Sequence, residues 1–259
     1  MITIQHALCM LIDADGDIDK FKKKIAYALL PDAIRMYTKY RQYSHFEQGL
    51  NKDVSWIKFP TNIKNISPTI LNDSECHLVP LECIPTCVIG EPTIFNKFKE
   101  TNKHLPDIYY DGIAKHLIQD IIFDDFVRTV FDCSKMYEDK FKVNDKYYNG
   151  KEFRNIIGKT EQQLFYFMSW FIRDEYGIIV DQNWFDENIY PVLKLMYPEE
   201  MADNTYKYMR IDPQTNEWIR TDDRSHTEDF IVSMSNAYKL LSDVIIKMKT
   251  YNSDKIYKH

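Results

Sequence analysis

The sequence predicts an all-α protein, a mainly helical single domain over residues 1–259 with one or two small β-hairpins. Three observations predict it. Apolar residues recur at helical spacing in segment after segment. Only 7 glycines occur in 259 residues, few for a sandwich or barrel that turns about every 8–12 residues. The hydrophobic content of 44%, with 18 Tyr and 15 Phe, is ample for a packed interior, and this length sits at the upper end for a single core. No internal repeat or linker divides the chain.

Residues 1–12 are apolar enough to form a buried first segment. Asp13-Ala14-Asp15-Gly16-Asp17 then predicts a turn. A calcium loop is excluded there, because Ile18 and Lys24 stand where that loop needs Gly and Glu. Residues 18, 21, 25, 28 and 29 are apolar at helical spacing, and Pro31 ends that helix or opens the next, which runs to about residue 41. The basic run Lys20 to Lys24 reads as a solvated helix face. Residues 50–92 hold Pro60, Pro68, Pro80, Pro85 and Pro92 and predict a long irregular segment, of the kind that forms lids or walls. Thr93 caps a helix to about Lys103, and Pro106-Asp107 introduces another from about 108 to 131. Turn pairs in residues 141–150 predict a hairpin. Helices follow at about 151–176, 182–196, 198–208 and 226–249, with a second hairpin or loop at 211–220.

Composition narrows the function. The net charge is −6 with no basic stripe, so no long nucleic acid is expected as a partner. A small phosphorylated substrate is compatible with that acidity, since a bound divalent ion supplies local positive charge. No apolar run approaches the roughly 20 residues of a membrane span, so no membrane insertion is expected. The first residues carry no basic leader, and five irregularly spaced cysteines point to reduced thiols in a cytoplasm. Cys83 and Cys87 form a lone pair, short of a cysteine zinc site. Oligomeric state is not encoded legibly.

The chemistry concentrates in the 108–131 helix. His116 and Asp120 are four residues apart, so both lie on one face and can reach the same ion. Imidazole nitrogen and carboxylate oxygen suit zinc, and also manganese or iron. Ile113, Leu117, Ile118, Ile121, Ile122, Phe123, Phe126 and Val127 make the helix apolar round most of its circumference, so it should be buried. His116, Asp120 and Asp124 would then need partners away from water, and a metal ion is the economical one. Upstream, His6 lies in the apolar first segment, Asp32 at a helix junction and His45 at a helix end. Each also has an ordinary explanation, as a hydrogen-bonded core histidine, a first-turn acid and a helix-end cation. Among the aromatics Tyr40, Tyr43, Phe46, Trp56 and Phe59, core packing competes with stacking on a base or covering a lipid chain.

Taken in order, an early His6, Leu30-Pro31-Asp32, Ser44-His45-Phe46 and the His116-x-x-x-Asp120 step resemble the zinc-dependent phospholipase C superfamily, which includes single-strand nucleases. The resemblance covers about the first half of the chain. It implies a helical fold with zinc ligands at His6, Asp32, His45, His116 and Asp120, Asp120 bridging two ions, in a cleft that the five share. The departures are equally specific. Phe126 stands where the family has a further His, and no His-x-x-x-Glu pair occurs, so a complete three-zinc cage is not expected. Asp124, Asp125, His104, Glu161 and His226 are the candidates to complete a reduced site of one or two ions. The expected activity is hydrolysis of a small phosphoester, a nucleotide or cyclic nucleotide among the options, with Asp120 or Asp124 orienting water or taking its proton. The alternative is a non-catalytic binding protein that keeps the same helical fold.

Overall fold

A computed structural model describes residues 3–38, 45, 99–100, 103, 107–130, 140–143, 146–210 and 234–250. The protein is all-α. Its elements are α1 (Thr3–Asp13), α2 (Ile18–Thr38), α3 (Asp107–Val130), strands β1 (Lys140–Val143) and β2 (Lys146–Asn149), α4 (Gly150–Tyr176), α5 (Gln182–Asn188), α6 (Tyr190–Met196), α7 (Glu199–Arg210) and α8 (Met234–Thr250). The two strands pair antiparallel, with Phe141 opposite Tyr148.

Helix α1 is the centre. Every residue from Thr3 to Ile12 is buried, as expected for a helix apolar on all sides. It packs against α2, α4, α7 and α8, while α3 lies along α2 and also meets α8. Phe21, Tyr109, Phe123, Phe165, Phe167 and Tyr197 are the bulkiest of the fully buried side chains in the resulting core. Among the described residues no helix is long and apolar enough to cross a membrane.

The turn between α1 and α2 follows from the Asp-Ala-Asp-Gly-Asp run. Gly16, at φ +76°, donates its N–H to Leu11 O at 3.0 Å, closing α1 with a left-handed residue. A Cβ on Gly16 would meet the Tyr176 ring at 2.6 Å, so the turn and α4 admit only glycine there. Asp17 then caps α2 by accepting from the backbone N–H groups of Asp19 and Lys20, each at 3.0 Å.

Two expected boundaries need correction. Pro31 neither ends nor begins a helix; it lies inside the continuous α2. Proline removes its own N–H from the ladder and crowds the carbonyl four residues earlier, and burial of Ile25, Leu29, Ala33 and Ile34 on both sides of it offsets that cost. Conversely, 182–196 is two helices. Pro191, in the first turn of α6, lacks the N–H that a helix continuing from α5 would use. The predicted features at 50–92 and 211–220, and most of the proposed helix at 93–103, lie outside the described residues.

Candidate metal centre

The centre begins with a close approach of two backbones. On α3, a Cβ at Gly112 would lie 2.5 Å from Tyr27 Cβ and 2.9 Å from Ala28 N. Only glycine lets α3 sit this near to α2. One turn later His116 therefore reaches the α2 backbone, where its Nδ1 lies 2.8 Å from Ala28 O. A carbonyl only accepts, so Nδ1 carries the proton and Nε2 turns a lone pair inward.

The other four residues point at the same place. His6 comes from α1, Asp32 from the proline-containing stretch of α2, Asp120 from the next turn of α3, and His45 is helical and fully buried. His6 Nε2 is 3.3 Å from Asp120 Oδ1, and His45 Nε2 is 3.4 Å from Asp32 Oδ1 and 3.6 Å from Asp120 Oδ2. His116 Nε2 stands 3.1 Å from His45 Nε2 and 3.8 Å from Asp120 Oδ2. The His6 and His116 rings stack with centroids 3.7 Å apart. Metal–ligand bonds of about 2.0–2.2 Å place neighbouring donor atoms roughly 3–3.6 Å apart, so most of these spacings are compatible with a metal ion between the donors. The set divides into two overlapping trios, His6–His116–Asp120 and Asp32–His45–His116.

Hydrogen bonds from outside the cluster take up the outward atoms of Asp32 and His6. Thr3 Oγ1 donates to Asp32 Oδ2 at 2.6 Å, and His6 Nδ1 meets Gln119 Oε1 at 2.6 Å. Among the described residues, the buried atoms His6 Nε2 and Asp32 Oδ1 have no partner at hydrogen-bond geometry, although His6 Nε2 stands 3.3 Å from Asp120 Oδ1 and Asp32 Oδ1 stands 3.4 Å from His45 Nε2. Arg35 approaches Asp32 Oδ1 only to 3.7 Å, from a side chain that is 40% exposed. Burial, with His6 and His45 close by, holds the His116 imidazole well below its ordinary range even though Asp32 and Asp120 pull the other way. Burial would raise the Asp32 carboxyl, yet His45, His116 and His6 outweigh it and hold Asp32 well below the usual carboxylate range. A neutral imidazole and an ionised carboxylate are the states that bind metal. The donor set fits a divalent cation. It is also more enclosed than a cleft, since none of the five exceeds 2% exposure.

The sequence named these five residues, but not the groups that aim them. Thr3, Gln119, Gly112 and the Ala28 carbonyl were missed. Thr3 and Gln119 did leave a signal, as polar residues in apolar helices. Of the candidates to complete the site, Glu161 lies on α4, where burial and the charge of Asp120 push its carboxyl up. The backbone of Asp124 continues α3, but its side chain lies outside the described residues, as do the side chain of Asp125, His104, His226 and the aromatic residues of 40–60.

No protein-family model, curated protein or solved structure matches the chain. Its class therefore rests on fold and site: an all-α protein with a buried His/Asp cluster able to hold a metal ion.

Proposed function

We propose that the chain is a zinc-dependent phosphoester hydrolase, related to the phospholipase C superfamily and acting on a small phosphorylated substrate such as a nucleotide or cyclic nucleotide. One observation carries the reading: three imidazoles and two carboxylates converge on a point where, among the described residues, His6 Nε2 and Asp32 Oδ1 have no hydrogen-bond partner. Buried acceptors of that kind are costly unless a cation satisfies them. Nitrogen and oxygen donors suit zinc, with manganese or iron as the other candidates. A bound divalent ion supplies Lewis acidity toward a phosphoryl oxygen and toward water.

The chain's own residues supply the rest. Asp32 and His45 anchor one side of the centre, and His6 the other. Asp120 faces His6 through one oxygen and His45 and His116 through the other, so it would be the carboxylate shared between ions if two were held. It also holds or accepts the proton of an attacking water, a role Asp124 shares in the alternative arrangement. A second reading has its own support: full enclosure of the five ligands is what a structural metal site requires. In that case the chain is a non-catalytic binding protein.

Elemental analysis of protein purified without chelators or a polyhistidine tag, combined with turnover of bis-p-nitrophenyl phosphate, separates the readings. One or two equivalents of zinc with turnover supports the hydrolase. Zinc without turnover supports the structural site. Less than about 0.2 equivalents of any transition metal after zinc supplementation removes the centre altogether.

A further inference from the structure

A histidine ligates through one ring nitrogen, and the partner of the other nitrogen decides which one is free. His116 is fixed by a backbone carbonyl. His6 is fixed by a side chain, Gln119 on α3, and that side chain is itself held from behind. Gln119 is fully buried. Its amide nitrogen lies 2.9 Å from Met248 Sδ on α8 and 3.8 Å from Met10 Sδ on α1.

Thioether sulfur accepts weakly and cannot donate. The amide nitrogen therefore belongs on the sulfur side and the amide oxygen on the imidazole side. A flipped amide would set its oxygen against two sulfurs and lose its acceptor toward His6. With Oε1 accepting, the His6 proton sits on Nδ1, and Nε2 presents its lone pair toward Asp120.

We propose that Gln119 is a positioning residue of the centre, selecting the Nδ1–H tautomer of His6 and tying its orientation to α8 through Met248. The consequence for function rests on the metal-centre reading. The tautomer itself does not. Outer partners of this kind typically govern metal affinity by about 10- to 100-fold.

Nitrogen-15 NMR of the histidines in zinc-free protein reads the tautomer, and titration with zinc ion against a competing chelator reads affinity. Wild-type His6 is expected as the Nδ1–H form. Gln119→Met keeps the volume but removes the acceptor, and should give mixed tautomers and zinc binding about 10- to 100-fold weaker, with the helical circular dichroism kept. Gln119→Glu restores the acceptor toward His6 but sets its second oxygen against the two sulfurs, so it should return the Nδ1–H form while zinc affinity recovers only in part. An Nε2–H tautomer in the wild type overturns the proposal whether or not zinc binds, as does Gln119→Met binding zinc as tightly as wild type. A wild-type protein that takes up no zinc but shows the Nδ1–H form, lost in Gln119→Met, upholds the positioning and removes the metal reading instead.

Discussion

Helix α3 carries two buried polar clusters on adjacent residues, and their chemistry is opposite. Lys115 Nζ lies 2.6 Å from Asp13 Oδ2 and 3.5 Å from Asp111 Oδ2, with the Lys115 and Asp13 side chains only 8% and 7% exposed. A cation meets anions, and a donor meets acceptors. Burial alone would lower the Lys115 ammonium, but the Asp13 hydrogen bond and charge outweigh it and leave it raised. One residue further on, His116 and Asp120 face His6, His45 and Asp32, three imidazoles and two carboxylates with no lysine or arginine among the five. The first cluster pairs a cation with its anions. The second is a group of residues that could hold a metal ion. Burial of polar groups thus says little about function; whether donors and charges balance within the cluster says much more.

The largest expected effect comes from breaking the second cluster at its centre. Asp120→Asn keeps volume and most hydrogen bonding but removes the charge facing both trios. On the proposed hydrolase reading it should abolish turnover and weaken zinc retention while the helical circular dichroism persists. His116→Ala should do the same and cost about 2 kcal/mol more in stability, because it also opens a void. If Asp120→Asn destabilises the fold while its folded fraction turns over at the wild-type rate, Asp120 is only a structural partner.

Gly112→Ala probes the approach that brings the second cluster together. A Cβ there meets the α2 backbone, so α3 must move away from Ala28 O, with an expected loss of about 2 kcal/mol and weaker zinc binding. Full zinc affinity in this variant would show that His116 does not depend on the close contact.

Lys115→Met breaks the first cluster. Leaving Asp13 buried without its cation should cost about 3 kcal/mol by denaturant unfolding, with zinc stoichiometry unchanged. A variant that loses zinc as well would show the two clusters to be coupled.

The smallest effect is a difference in pH response. His116 is held well below its ordinary value of 6.5, so the unfolded chain takes up that proton first, and stability of zinc-free protein should decline as pH falls below 6.5. Asp32, held below its ordinary 3.8, should steepen the decline under that pH. Lys115 is raised above its ordinary 10.5, so its contribution is intact below that value and disappears as pH rises through the higher folded value. Thermal melts across pH should show the alkaline loss in wild type and not in Lys115→Met, and a variant that keeps the wild-type alkaline loss would contradict the assignment.

The sequence by itself determined the helical class and named the five residues that the structure brings into one cluster. Apolar spacing, scarce glycine and the buried character of α3 are local properties, and His116 with Asp120 share a face by helix geometry alone. It also marked the turn at Gly16 through its acid-glycine run. What only the tertiary structure decided was whether five residues spread from position 6 to position 120 meet. That depended on α1 lying fully buried at the centre, on α2 continuing through Pro31, and on Gly112 admitting the α2 backbone. Proline is read locally as a helix boundary, yet core burial on both sides outweighs one lost hydrogen bond. Gly112 is read locally as a weak point in a helix, yet its missing side chain is where two helices touch. Nor could spacing separate Lys115 from His116, since neighbours on a helix face different ways and each one's role was fixed by what another helix placed opposite it.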